Sequence, residues 1–241
     1  MAMNFEQARQ NMVENQVRPW EVLDGRVLDV LSSVRREDFV APEHRKLAFA
    51  DLCLPLGHGE VMMKPVVEGR VLQALELTPT DHVLEIGTGS GFLTACLAKL
   101  SAGVTSLDIH ADFIAAAGER LAQAGIANVK LEVGEAITAW HPDGLFDALV
   151  VSGAVYQIPQ RFLSWLKPGG RMLVVRGESP VQQVLLLTHE GNGRYREEVL
   201  YNAQQNTPAL SSYFELMDRL VPNFLSALSK QKVKGTRVLL K

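Results

Sequence analysis

VLEIGTGSGF, residues 83–92, is the stretch that decides the fold. An apolar run, HVLEIG, ends in three glycines at alternate positions, Gly87, Gly89 and Gly91, and a helical pattern, SGFLTACLAKL, follows at once. A short apolar run bounded by glycines reads as a buried strand. Glycines between a strand and a helix permit positive φ and let a ligand approach the backbone closely. In doubly wound sheets such a turn lies at the carboxyl end of the strand, where ligands bind. Glu85 lies inside the strand, and a buried carboxylate needs an N–H or a cation nearby.

The pattern repeats downstream. VTSLDI reads as a second strand and ADFIAAAGERLAQAG as a helix closed by Gly125. VKLEVG and FDALVVSGA read as further strands, PQRFLSWL holds a short helix, and KPGG turns into the strand RMLVVRG. Strands separated by helix-length segments predict βαβ units and a parallel sheet covered on both faces. VQQVLLLTHE and GRYREEVLY then flank Gly191-Asn192-Gly193, which predicts an antiparallel hairpin. Upstream, Phe5, Ala8 and Met12 recur at helical spacing, as do Val27, Val30, Leu31 and Val34, so residues 4–75 read as mainly helical apart from a loop, LPLGHGEVMMKP. The predicted fold class is α/β: a Rossmann-like, doubly wound, mostly parallel seven-stranded sheet with an antiparallel C-terminal hairpin and an N-terminal helical cap. The predicted division is a cap with a substrate-side loop over 1–78, the α/β domain with its hairpin over 79–201, and a helical extension over 202–241 broken at Pro222.

The chain has 241 residues, of which 47% are hydrophobic and 21% charged, enough for a sizeable core. A net charge of −3 gives no general attraction to nucleic acid or to an anionic membrane. Cys53 and Cys96 form no CxxC pair, and no metal-ligand spacing is read. The N-terminal residues lack the apolar core of a secretory signal, and no run reaches the roughly 18 apolar residues of a membrane span. The expectation is a cytoplasmic enzyme.

The glycine spacing bears on the ligand. Dinucleotide enzymes use GxGxxG, whereas here Phe92 follows a GxGxG pattern, which argues against a nicotinamide oxidoreductase. Asp108 closes the second strand, where a carboxylate can accept from both ribose hydroxyls or else cap the next helix. Glu85-Ile86-Gly87-Thr88-Gly89-Ser90-Gly91 resembles the first motif of class I S-adenosylmethionine-dependent methyltransferases, and Leu166-Lys167-Pro168-Gly169-Gly170 is similar to the turn before their fifth strand. The resemblance implies S-adenosylmethionine as cofactor and S-adenosylhomocysteine as product. It implies that Glu85 to Gly91 cradle the amino-acid end (Glu85, Gly87, Thr88, Gly89, Ser90 and Gly91), that Asp108 with Ile109 meets the ribose, and that Gly134, Glu135 and Ala136 meet the adenine.

Further segments resemble one branch, the protein-L-isoaspartate O-methyltransferases. Arg36-Glu37-Asp38-Phe39-Val40, Ala48-Phe49-Ala50-Asp51 and Leu54-Pro55-Leu56-Gly57-His58-Gly59 are similar to that branch's cap and loop, as are Trp140, Phe146-Asp147 and Ile158-Pro159 at their places. The resemblance implies protein or peptide substrates with isoaspartyl residues. It departs where the branch reads Thr-Ile-Ser: Val61, Met62 and Met63 stand there, followed by Lys64. A thioether cannot donate a hydrogen bond, so Met63 cannot replace a serine that holds a substrate carboxylate, and Lys64 is a candidate substitute cation. His58, Val61, Met62, Met63, Lys64 and Ser152 form the expected substrate side. No catalytic base is assigned, because an ionised carboxylate is already a nucleophile at neutral pH. The alternatives are another methyl acceptor on the same fold, or a cofactor-binding protein without this activity.

Overall fold

The computed structural model describes residues 3–178 and 181–202. The predicted extension over 202–241, with Pro222, lies outside the described residues except for Asn202.

The cap begins with α1 (Phe5–Met12), whose first turn is closed by the Asn4 side chain accepting from the Gln7 amide at 3.1 Å. The helical path continues through a wider turn, Val13–Val17, and a tight turn, Arg18–Trp20, and stops at Glu21, whose φ is 63°. Helix α2 (Gly25–Ser33) is capped by Asp24 and buries Val27, Leu28, Val30 and Leu31. Where a loop was expected the structure has a small hairpin, β1 (Leu54–Gly57) and β2 (Glu60–Met62), with Leu54 opposite Met62. Positive φ at Gly57, His58 and Gly59 makes this tight reversal. Helix α3 (Pro65–Ala74) starts on a proline, which has no amide to leave unpaired at the first helical position.

The α/β part follows as β3 (His82–Ile86), α4 (Phe92–Leu100), β4 (Gly103–Asp108), α5 (Ala111–Gln123), β5 (Val129–Val133), β6 (Phe146–Val155), α6 (Gln160–Ser164), β7 (Leu166–Glu178), β8 (Val181–Gly191) and β9 (Arg194–Asn202). They form one seven-stranded sheet in the order β5-β4-β3-β6-β7-β8-β9. Pairings from β5 to β7 are parallel, and β8 and β9 add antiparallel. The predicted hairpin turn is present, with Asn192 and Gly193 at φ 52° and 70°, as a two-residue turn between twisted strands requires. KPGG differs from expectation: β7 runs through it, with Gly169 at φ 79° and a slip in register between Phe146 and Ala148. The extra residues are absorbed as a bulge rather than a separate turn.

Two apolar clusters cover the two faces of the sheet. One joins the cap to α4 through Phe39, Leu72, Phe92 and Leu97; the other packs Phe162 and Trp165 on Leu149 and Met172. A buried guanidinium ties the first together. Arg36 is fully buried and donates to the carbonyls of Ala48 (2.8 Å) and Met63 (2.5 Å), pairs with the Glu68 carboxylate, and lies 4.7 Å over the Phe92 ring. Strand order reverses beside β3, since β4 and β5 lie on one side of it and β6 and β7 on the other. The crevice of a doubly wound sheet opens at that point. Among the described residues no helix is long and apolar enough to cross a membrane.

Candidate active site

A cavity of about 370 Å³ opens at the carboxyl ends of β3, β4 and β6. Its floor is the glycine loop. Gly87, Gly89 and Gly91 have φ of 100°, 51° and 84°, values that side-chain-bearing residues rarely adopt. Space adds a second constraint at Gly87, where a Cβ would stand 2.0 Å from the Ser152 hydroxyl oxygen. Ser152 is held there by donation to the carbonyls of Ile86 and Gly87, both at 2.9 Å.

Asp108 braces this loop from the end of β4. Its Oδ2 accepts from the Gly89 amide and its Oδ1 from the His110 amide, each at 2.9 Å. It does not cap α5, whose N-cap residue is His110 without a side-chain bond. Each carboxylate oxygen has further lone pairs, so Asp108 can accept from a ligand's hydroxyls while it holds the loop.

The cavity is lined by Gly87, Thr88, Gly89, Ser90, Asp108 and Ile109 among the expected cofactor residues, and by Gly134, Glu135 and Ala136 from the turn after β5. Glu135 also closes that turn by accepting from the Ile137 and Thr138 amides at 2.7 and 2.9 Å. His58, Val61, Met62, Met63 and Ser152 line the same cavity.

Three expected residues do not line it. Gly91 lies beneath the loop as the N-cap of α4, where a Cβ would stand 3.0 Å from that of Ala117. Glu85 is fully buried under the loop; its Oε2 accepts from Thr94 (2.5 Å) and Ser106 (2.6 Å), and Ser106 bonds Thr88 at 2.6 Å. Its Oε1 is buried without a hydrogen-bond partner among the described residues. Burial raises the Glu85 carboxyl to about 7, against the pull of the Ser106 and Thr94 hydroxyls. Lys64 is buried beside Asp51, with its ammonium 4.0 Å from Oδ2, and so sits outside the cavity wall.

Sequence reasoning missed several lining residues: Leu56, Glu60, Glu68, His110 and Phe113. Leu56 and Glu60 flank His58 in the same hairpin, and His110 and Phe113 follow Asp108 directly, so proximity to the motifs was an available signal. Glu68 had none, because only the fold brings α3 beneath Met63. Glu60 is pushed above the usual carboxyl value by burial and then by the nearby Asp108. Glu68 is raised by burial, with Arg36 opposing.

The family model of protein-L-isoaspartate(D-aspartate) O-methyltransferase (PCMT) matches residues 7–205. A protein-L-isoaspartate O-methyltransferase of Petrotoga mobilis is 34% identical over 197 residues, covering 81% of this chain and 92% of the relative. One of Myxococcus xanthus is 39% identical over 165 residues, covering 68% and 78%. The fold is similar to that of a Plasmodium falciparum chain described as a protein-L-isoaspartate O-methyltransferase in complex with S-adenosyl-L-homocysteine. That likeness has a TM-score of 0.69 at 21% identity and covers 80% of this chain and 94% of the other.

Proposed function

The chain belongs to the protein-L-isoaspartate O-methyltransferase family, and on that premise we propose that it moves the methyl group of S-adenosylmethionine onto the isoaspartyl carboxylates of damaged proteins. What carries this reading is the coupling of the glycine loop to Asp108 in the lining of a 370 Å³ cavity, within a chain that matches the family over residues 7–205.

The residues present fit the cofactor. Gly87 and Gly89 line the cavity, and a Cβ would collide with the Ser152 hydroxyl at Gly87 and crowd a Leu56 methyl at Gly89, so only bare backbone fits this wall, the kind of surface an amino-acid end can approach closely. Asp108 keeps lone pairs for ribose hydroxyls. Ile109, Ala136 and Ile137 give the apolar walls that suit a purine. When bound, S-adenosylmethionine supplies an electrophilic methyl group on a sulfonium. The chain's own part is to hold that group and an acceptor in line and to exclude water, for which Met62, Met63, Leu93 and Phe113 supply apolar surface. Alignment of this kind contributes up to about 7–11 kcal/mol in favourable cases. A carboxylate acceptor is ionised at neutral pH and needs no base.

Free Cys53 and Cys96 suit a reducing, cytoplasmic setting. The acceptors are proteins or peptides; a net charge of −3 gives no electrostatic reason for nucleic acid or an anionic membrane surface as partner.

One observation favours a second reading, the same transfer to another acceptor. Val61, Met62 and Met63 line the cavity without a hydroxyl, at the positions where the resemblance implies Thr-Ile-Ser. The discriminating experiment is methyl transfer from radiolabelled S-adenosylmethionine to an isoaspartyl peptide. Base-labile label on the peptide supports the first reading; a peptide left unlabelled at high enzyme concentration, with cofactor still bound, leaves the second.

A further inference from the structure

Among the described residues, His58, His110 and Asp112 form a group whose potential ligand atoms all lie within 4.8 Å of one another. They come from two elements beside the cavity, the β1–β2 hairpin and α5. His58 stands at the tip of the β1–β2 hairpin, and His110 and Asp112 at the start of α5. Their side chains already meet. The imidazoles of His58 and His110 stack with centroids 4.1 Å apart and 7° between planes, and His58 Nε2 lies 2.9 Å from Asp112 Oδ2. Phe113 packs edge-on against both rings, at 5.3 and 5.1 Å. His58 has φ 53° between two positive-φ glycines, so it sits at the tight reversal of the hairpin.

We propose that these three side chains bind one divalent transition-metal ion, zinc foremost, which clasps the hairpin carrying Val61 and Met62 onto α5. Two imidazoles and a carboxylate are the donor set that suits such an ion. Bonds of about 2.0–2.1 Å in a tetrahedral site put ligand atoms roughly 3.3 Å apart. The present spread closes by a side-chain adjustment of roughly 1.5 Å on its widest edge, which the exposed His58 and Asp112 side chains allow. Stacked rings direct their lone pairs side by side, so ligation turns the two rings out of parallel and the 7° stack is lost. His58 and His110 both line the cavity. The Zn²⁺ site follows from these positions and does not depend on the identity of the methyl acceptor.

The test titrates Zn²⁺ and Co²⁺ alone into the full, untagged chain, by calorimetry and by visible absorption. The expected result is one ion per chain, with the strong visible bands of four-coordinate Co²⁺. Asp112→Asn changes an exposed side chain and His110→Ala a half-buried one; each should weaken binding by about a hundredfold or more, since even an outer-shell partner is worth ten- to a hundredfold. His82→Ala, an exposed histidine elsewhere, should leave it unchanged. No saturable binding, or binding untouched by Asp112→Asn and His110→Ala, overturns the site.

Discussion

The backbone amide of Gly89 donates to Oδ2 of Asp108 at 2.9 Å, joining the cofactor loop after β3 to the end of β4. The same carboxylate holds the His110 amide at 2.9 Å. One side chain therefore fixes two of the turns that form the cavity, and does so with charge-assisted bonds, which are stronger than neutral ones. Asp108→Asn keeps the shape but offers a single acceptor oxygen for two amide donors. It should weaken S-adenosylhomocysteine binding by about ten- to a hundredfold, the worth of roughly 1.5–3 kcal/mol for a bond to a charged group. Calorimetry at constant pH reads this directly.

Arg36 and Glu68 form a buried ion pair beneath the acceptor side, with the Arg36 side chain fully buried and that of Glu68 at 2% exposure. Removing Glu68 strands the Arg36 charge, and removing Arg36 leaves the buried Glu68 carboxyl, already raised by burial, without its partner. Arg36→Met should cost about 3–5 kcal/mol in denaturant unfolding, whereas Arg36→Met with Glu68→Leu should recover most of that loss. The double variant still loses the bonds to the Ala48 and Met63 carbonyls, so full recovery is not expected.

Glu85 gives stability a pH dependence of a defined sign. Its carboxyl is at about 7 in the folded chain, against the usual 4.5. Between those values the folded chain keeps a proton that the unfolded chain has lost. This contribution is fully present below pH 4.5 and is lost as pH rises toward 7, by up to about 3 kcal/mol at 1.36 kcal/mol per pH unit. Glu85→Gln cannot ionise, so its unfolding free energy between pH 5 and 7 should be flatter than that of the parent chain.

Met63→Ser introduces a hydroxyl into the wall of the cavity. If this position grips the acceptor carboxylate, kcat/KM on an isoaspartyl peptide should rise by about tenfold, the worth of one hydrogen bond near 1.4 kcal/mol. The substitution also empties space in a core side chain only 9% exposed, so a stability loss of about 2–4 kcal/mol should accompany it. An unchanged rate in a folded variant places the grip on another group.

The glycine loop, the β4 carboxylate and the C-terminal hairpin were legible because each depends on local chemistry: φ at Gly87 and Gly89, a strand-end acid, an Asn-Gly turn. Glu85 was legible as a group needing partners, but not as one facing away from the cavity. That depends on the alternation of β3 against Ser106 of β4, which sequence does not register. Lys64 read as a candidate cation because it adjoins Met63, yet the chain turns into α3 there and carries it toward Asp51. Glu68 was invisible for the same reason. The β1–β2 pairing hides in a stretch too short and too rich in glycine to show strand periodicity.

The proposed ligand seats against bare backbone at Gly89, where φ is 51° and a Cβ would stand 3.1 Å from a Leu56 methyl. The most direct measurement is calorimetric binding of S-adenosylhomocysteine to the parent chain and to Gly89→Val, with thermal unfolding of both. The prediction is clear binding by the parent and a loss of about a hundredfold or more in the variant, with the fold retained, because a branched side chain at positive φ both strains the turn and fills the space. Equal affinity in the two proteins would contradict it and place the ligand elsewhere.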